Sequence, residues 1–211
     1  MLHQLIQWVT ALANHKIIVI GDVILDEYVY GNPTRMSREA PIPVLEFESR
    51  RLIPGGAANP ATNIVAMGSQ ALQVGLIGED EAGVNLRKVL DKDGVDTSGL
   101  FSDATRPTTL KSRMMAQMGL RFPQQIARMD TLSRKPVNTQ ISTQIQAWVL
   151  QHLHTTDAIL FSDYHGGLIT SDLVNTLRSQ TNGAVLTADA QGNLEKYTGF
   201  TLVKCNADDA Q

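Results

Sequence analysis

Hydrophobic residues along this chain switch repeatedly between two spacings. Short apolar runs at Lys16 to Ile20, Ala71 to Ile77, Ala158 to Phe161, Val185 to Ala188 and Phe200 to Lys204 predict strands. Between and before them, apolar residues recur at helical spacing over residues 1 to 13, Ala57 to Met67, Ala82 to Leu90, Asn138 to His152 and Ser171 to Ser179. Gly68 and Gly94 lie just past two of these helices, where a left-handed residue ends a helix. Asp80 immediately precedes the Ala82 to Leu90 pattern and is expected to cap it. Such alternation predicts an α/β fold, with a mostly parallel sheet covered by helices.

Two stretches break the alternation. Glu27 to Arg51 has no helical period, contains Pro33, Pro41 and Pro43, and alternates apolar with acidic residues in Val44-Leu45-Glu46-Phe47-Glu48. Thr108 to Asp130 reads as two extended pieces around Gly119. Together they predict a small β structure over the carboxyl ends of the strands, the edge where open α/β sheets bind ligands.

The 211 residues, 43% hydrophobic and 18% charged, suffice for one large domain, or one domain with an excursion. A net charge of -3 and an absence of basic stripes with interleaved aromatics argue against nucleic acid as a partner. The single Cys205 excludes an internal disulfide framework. No apolar run reaches the roughly 18 residues of a membrane span, so a soluble, cytoplasmic protein is expected.

The chemistry is concentrated in a few short motifs. In Pro54-Gly55-Gly56-Ala57-Ala58-Asn59, adjacent glycines allow close main-chain approach to a ligand, and helix-start amides follow. Taken alone, Gly55-Gly56 reads equally well as a tight turn, and Asp22 as a residue satisfying donors after a strand. No glycine fingerprint opens a helix after the first strand, which argues against a dinucleotide-binding enzyme, and a Walker-type loop is also absent.

An ordered set of motifs resembles the PfkB (ribokinase-like) carbohydrate kinases, most closely their heptose-phosphate kinase branch. The pieces are Ile20-Gly21-Asp22-Val23-Ile24-Leu25-Asp26, Tyr30-Gly31, Arg35 through Val44, the Pro54 to Asn59 run, and Val74 through Asp80. Pro107-Thr108-Thr109 with Lys111 and Arg113, Arg128-Met129-Asp130, and Ser162-Asp163-Tyr164 continue the order.

The resemblance implies a ribokinase-like three-layer sandwich with a β lid from residues 27–51 and 108–130, transfer of the ATP γ-phosphoryl group to a sugar hydroxyl, Mg2+, and a dimer formed through the lid. It implies that Asp22 and Asp26 accept hydrogen bonds from the sugar, that Gly55, Gly56 and Asn59 form a sugar-facing wall, and that Asp163 also faces the sugar. Lys111, Arg113 and Arg128 would bind a substrate phosphate by charge-assisted hydrogen bonds, or else are solvated lid charges. Asp189 and Asn206 match positions near the nucleotide phosphates and magnesium. Asp209 stands where the family has Glu in an Asn-x-x-Glu element.

The chain departs from the family pattern in two places. His165-Gly166 replaces a small residue and Lys, and Ala190-Gln191 replaces Pro-Lys. Residues 1–211 also contain no Gly-Ala-Gly-Asp element, which in the family opens an anion-binding helix and carries the catalytic base. The base is therefore expected beyond Gln211, and this chain by itself is expected to have little or no kinase activity. A non-catalytic sugar-binding or dimerising module of the same fold is the alternative.

Overall fold

A computed structural model describes residues 2–119, 122–181 and 183–210. Its larger sheet contains six parallel strands: β1 (Lys16–Gly21), β4 (Gln70–Ile77), β5 (Asp96–Ser102), β8 (Ala158–Asp163), β9 (Val185–Ala190) and β10 (Leu202–Lys204). Their spatial order is β10-β9-β8-β1-β4-β5. The smaller sheet takes β2 (Val23–Met36), β3 (Pro43–Gly56), β6 (Leu110–Ala116) and β7 (Gln124–Thr131), in the order β3-β2-β6-β7. The helices are α1 (Leu2–Ala11), α2 (Ala58–Ala66), α3 (Glu81–Lys92), α4 (Thr139–His152) and α5 (Ser171–Gln180).

Burial on both faces explains the near-continuous apolar strands. In β1, Ile18 and Ile20 join the cluster that includes Ile145, Val149, Leu173 and Leu177 of α4 and α5. The intervening Val19 joins Ala58, Ala61, Leu86 and Leu90 of α2 and α3 on the opposite face. Residues of a strand alternate between faces, so each of these three must be apolar. All three are 0% exposed, and at about 1.5–3 kcal/mol per buried aliphatic side chain they anchor the centre of the sheet.

Helix starts follow the expected chemistry. Asp80 is extended and accepts from Gly83 N at 2.9 Å, Asn138 accepts from Ile141 N at 2.8 Å, and Thr170 accepts from Leu173 N at 3.2 Å. Asp80 also accepts from the Thr108 amide and hydroxyl at 2.8 and 2.6 Å, so this cap ties α3 to the approach to β6.

Two expectations change. The sequence pattern does not predict β5, because Asp96-Thr97-Ser98-Gly99 carries no apolar alternation; as an edge strand it buries only Gly99 and Leu100 fully. Phe200 precedes β10 instead of beginning it, and packs beside Phe161 and Tyr197 with ring centroids 5.3 and 5.4 Å away.

The two irregular segments form the smaller sheet, although its first strand starts earlier than expected, at Val23. β2 and β3 make a long antiparallel hairpin, while β2 and β6 are parallel. The proline in β2 is tolerated for a specific reason. Pairing with β6 ends at Gly31, so Pro33 lies where β2 has a partner on only one side, next to a break in register.

Candidate functional site

Asp22 lies where the chain leaves the large sheet for the small one. Its amide donates to Ser162 O of β8 at 3.1 Å, and its carbonyl accepts from Ala57 N at 3.0 Å, so β8 and the start of α2 fix its backbone. Its Oδ2 accepts from Tyr164 N at 2.8 Å and Gly166 N at 2.9 Å. Gly166 is required by this close approach: a Cβ there would lie 2.5 Å from Asp22 Oδ1. Burial pushes the Asp22 carboxyl above the usual carboxylate range, against the two amide hydrogen bonds, and the neighbouring charge of Asp163 adds to the rise.

The carboxylate borders an open cleft between the two sheets. Lys111, Arg128 and Asp130 of β6 and β7, with Ser133 and Arg134 beyond them, line the side of the small sheet; Tyr164, His165, Gly166 and Gln191 line the side of the large one. Three cations therefore share a cleft with two carboxylates. Such a surface suits a hydroxyl-rich ligand that carries an anionic group. Arg128 makes two bonds to Asp130, at 2.9 and 3.0 Å, which hold its guanidinium in place.

Strand register explains which predicted residues come together. Asp26, Lys111 and Asp130 are aligned across β2, β6 and β7, and Tyr28, Arg113 and Arg128 form the next row on the same face. Arg113 bonds Asp26 at 2.6 Å and lies 5.0 Å from the centroid of the Tyr28 ring. Burial opposes the charge of Arg113, but the Asp26 carboxylate outweighs it and raises the pKa. Asp26 and Arg113 thus form one half-buried pair adjoining the cleft, outside its lining. Gly55 makes room for that pair, since a Cβ there would meet Asp26 Oδ2 at 2.2 Å.

Several predicted residues take other positions. Gly56 closes β3 at φ +54° beside the main chain of Asp22, and neither glycine lines the cleft. Asn59 is exposed on α2, where it accepts from Asn63 Nδ2 at 3.0 Å, and it is outside the cleft lining. Asp163 also lies outside the cleft lining. It is buried behind the cleft and held by Lys196 Nζ and by Tyr197 OH at 2.7 Å. Burial works against its ionisation, yet these donors and the His165 amide hold the carboxyl below its usual range.

The residues matched to a nucleotide site lie on β9 and just beyond β10. Asp189 bonds Lys204 Nζ at 2.9 Å, and Asn206 Oδ1 accepts from Asp209 N at 2.8 Å. Asp209 Oδ2 is buried without a hydrogen-bond partner. Among the described residues no group of three His, Cys, Asp or Glu side chains could hold a metal ion. Mg2+ is usually bound by one or two carboxylates together with substrate phosphates and water, so Asp189 and Asp209 would supply only part of its shell.

The sequence alone does not mark Ser133, Arg134, His165 or Gln191 as cleft residues, although His165 and Gln191 stand at departures from the family pattern. His165 is in a turn, at φ +61°, but it also lines the cleft, with Nε2 against the main-chain oxygen of Gln191. The two places where the chain departs from the heptose-kinase pattern thus touch each other. That departure was the available signal.

Comparison with known proteins places this geometry in context. A model of the pfkB family carbohydrate kinases matches residues 14–123, just over half of the chain. The chain belongs to the pfkB family of carbohydrate kinases. It is 37% identical over 199 residues to the bifunctional protein HldE of Trichlorobacter lovleyi, and 36% identical over 203 residues to HldE of Helicobacter hepaticus. In both cases the alignment covers 93% of this chain but 40% of the relative, so the chain spans about two fifths of the length of these curated relatives.

Solved structures show the ribokinase-like fold. A phosphofructokinase-2 variant from Escherichia coli aligns with a TM-score of 0.65 at 16% identity, covering 93% of this chain and 62% of that one. A ribokinase from Arabidopsis thaliana, complexed with ribose and ATP, aligns with a TM-score of 0.61 at 16% identity, covering 93% and 61%. Among the described residues no helix is long and apolar enough to cross a membrane.

Proposed function

We propose that this chain supplies the sugar-binding and lid side of an ATP-dependent sugar kinase whose substrate is a heptose phosphate. The observation that carries this reading is the cleft itself: the Asp22 carboxylate, seated by two amides, shares it with Lys111, Arg128 and Arg134. Asp22 accepts hydrogen bonds from sugar hydroxyls, and the three cations receive the substrate phosphate. The Asp26–Arg113 pair stiffens the adjoining row instead of contacting the sugar directly. The small sheet acts as a lid that keeps water from the transferring phosphoryl group.

Phosphoryl transfer needs positioned groups, a base and stabilisation of developing charge. This chain provides the first of these. ATP and Mg2+ belong to the proposal through the family, with Asp189, Asn206 and Asp209 toward the nucleotide, and no base is assigned within residues 1–211. Purified 1–211 is expected to show little or no ATP-dependent sugar phosphorylation. The small sheet and its connecting loops expose Met36, Ile42, Phe47, Phe122 and Met129, which supports pairing with a second copy through the lid. A cytoplasmic location is part of the same reading.

Calorimetric titration with sugars and sugar phosphates, including heptose 7-phosphate, tests the proposal. Saturable binding that is lost in Asp22→Asn supports it. Absence of binding to a folded chain would sink it.

A further inference from the structure

Lys196 is a cation that the proposed sugar site does not use. It lies in a short 3-10 turn, Leu194–Tyr197, beyond β9, and its side chain is 12% exposed. Its Nζ contacts the Asp163 carboxylate and donates to Ile169 O at 3.2 Å, while Tyr197 OH donates to the same Asp163 oxygen. The other oxygen of Asp163 accepts from His165 N at 3.0 Å.

The amides on either side of His165 go elsewhere. Tyr164 N and Gly166 N both donate to Asp22. Three successive amides are thus divided between two carboxylates, one at the cleft and one behind it. The turn that presents them is strained: His165 occupies φ +61°, a left-handed conformation unfavourable for a non-glycine residue. Its shape therefore depends on the groups that tie it down. Asp163 is the tie inside the protein, and its charge is tolerable there because Lys196 neutralises it.

We propose that Lys196 is a positioning residue for Asp22: by neutralising Asp163 it holds the turn 163–166 in the shape whose Tyr164 and Gly166 amides seat the Asp22 carboxylate. The functional weight of this inference rests on Asp22 being the ligand-binding carboxylate proposed above. The charged and titratable groups around the two carboxylates are few. Asp22 has Asp163 and Tyr197 behind it and Lys111, Arg128, Asp130, Arg134, Tyr164 and His165 around the cleft; Asp163 faces Asp22, Lys196, Tyr197 and His165. Without Lys196, two like charges share one wall without their lysine, and the pair takes up a proton at higher pH.

The test needs no ligand. The Tyr164 and Gly166 amide resonances of the whole 15N-labelled chain are followed from acid to neutral pH. In Lys196→Met, the midpoint of their titration is expected to rise by about one pH unit. Lys196→Arg, which keeps the charge, is expected to retain the wild-type midpoint. An unchanged midpoint in a folded Lys196→Met chain overturns the proposal, and so does an equal displacement in Lys196→Arg. Should Lys196→Met fail to fold, Tyr197→Phe removes only a neutral donor from Asp163; it is expected to shift the midpoint upward by less, and no shift overturns the proposal. Because the sample contains no sugar, a failed sugar titration counts against the proposed function and leaves this result standing.

Discussion

The two sheets of this protein are held together in different ways. In the large sheet, β1 and β4 are apolar on both faces and carry helices on both sides. In the small sheet, every residue of β7 and the middle of β3 are exposed, and polar pairs link its strands and side chains: Asp26 with Arg113, Glu27 with Ser112 and Arg50, and Arg128 with Asp130. Hydrophobic burial builds a rigid base from which Asp22 projects. Ionic pairing on a thinly covered sheet gives a surface that can accept a ligand or a second copy with little loss of packing.

The largest effect is expected where the base is densest. Phe161 is 0% exposed and meets Tyr197 and Phe200 ring to ring. Phe161→Ala should cost about 3–5 kcal/mol, read by urea denaturation. Loss of less than about 1 kcal/mol would break the contrast between the sheets.

A comparable effect is expected at a polar joint between them. Arg106, 8% exposed, bonds Asp103 at 3.0 Å and also donates to Lys135 O and Pro136 O at 3.0 and 3.2 Å. It thereby ties the chain approaching β6 to the segment after β7. Arg106→Met leaves Asp103 buried without its cation and should destabilise by about 3–5 kcal/mol. A double-mutant cycle with Asp103→Asn checks that the loss comes from this pair, which should couple by more than about 1 kcal/mol.

At the cleft, Asp22→Asn should weaken sugar-phosphate binding at least about tenfold, by removing a charged acceptor, while leaving the unfolding midpoint near that of the parent chain. Equal losses in binding and stability would mean that Asp22 serves only the fold.

Acid should separate the carboxylates by sign. Hydrogen bonds hold the Asp103 and Asp163 carboxyls below the ordinary aspartate value of 3.8, so the stability they contribute is complete well above pH 3.8 and is lost as pH falls below it through their folded values. Asp22 is raised above 3.8, so its contribution runs the other way and declines as pH rises from 3.8 through its folded value. Denaturation of the parent chain, Asp163→Asn and Asp22→Asn across this range tests both directions. Asp163→Asn should flatten the acid loss, and Asp22→Asn should remove the opposing slope.

The smallest effect on stability is expected on the small sheet. Phe47 is 71% exposed, and Phe47→Ser should change stability by less than about 0.5 kcal/mol. The same change should lower any self-association measured by sedimentation, if the exposed lid face joins two copies. Unaltered association would remove Phe47 from the interface.

Much of this architecture was legible because buried parallel strands need apolar residues on both faces, and amphipathic helices need them on one. The strands at Lys16, Ala71, Ala158 and Val185 carry that requirement in their local order, and Asp80 marks the start of α3. β5 escaped because an edge strand with Asp96, Ser98 and Gly99 does not need it. The site was legible in part. Asp22, Lys111 and Arg128 stand in short motifs whose residues do meet at the cleft, whereas Asp163, in an equally suggestive motif, lies behind it.

What the amino-acid sequence determined by itself was the alternation of elements, the family and the two segments that leave the main sheet, since each rests on periodicity or on motifs a few residues long. Only the tertiary structure decided which charges face the cleft. Lys196 lies 33 positions from Asp163, and Arg113 lies 87 from Asp26. Whether a carboxylate is free to receive a ligand depends on whether such a distant cation is already beside it, and no local pattern encodes that distance.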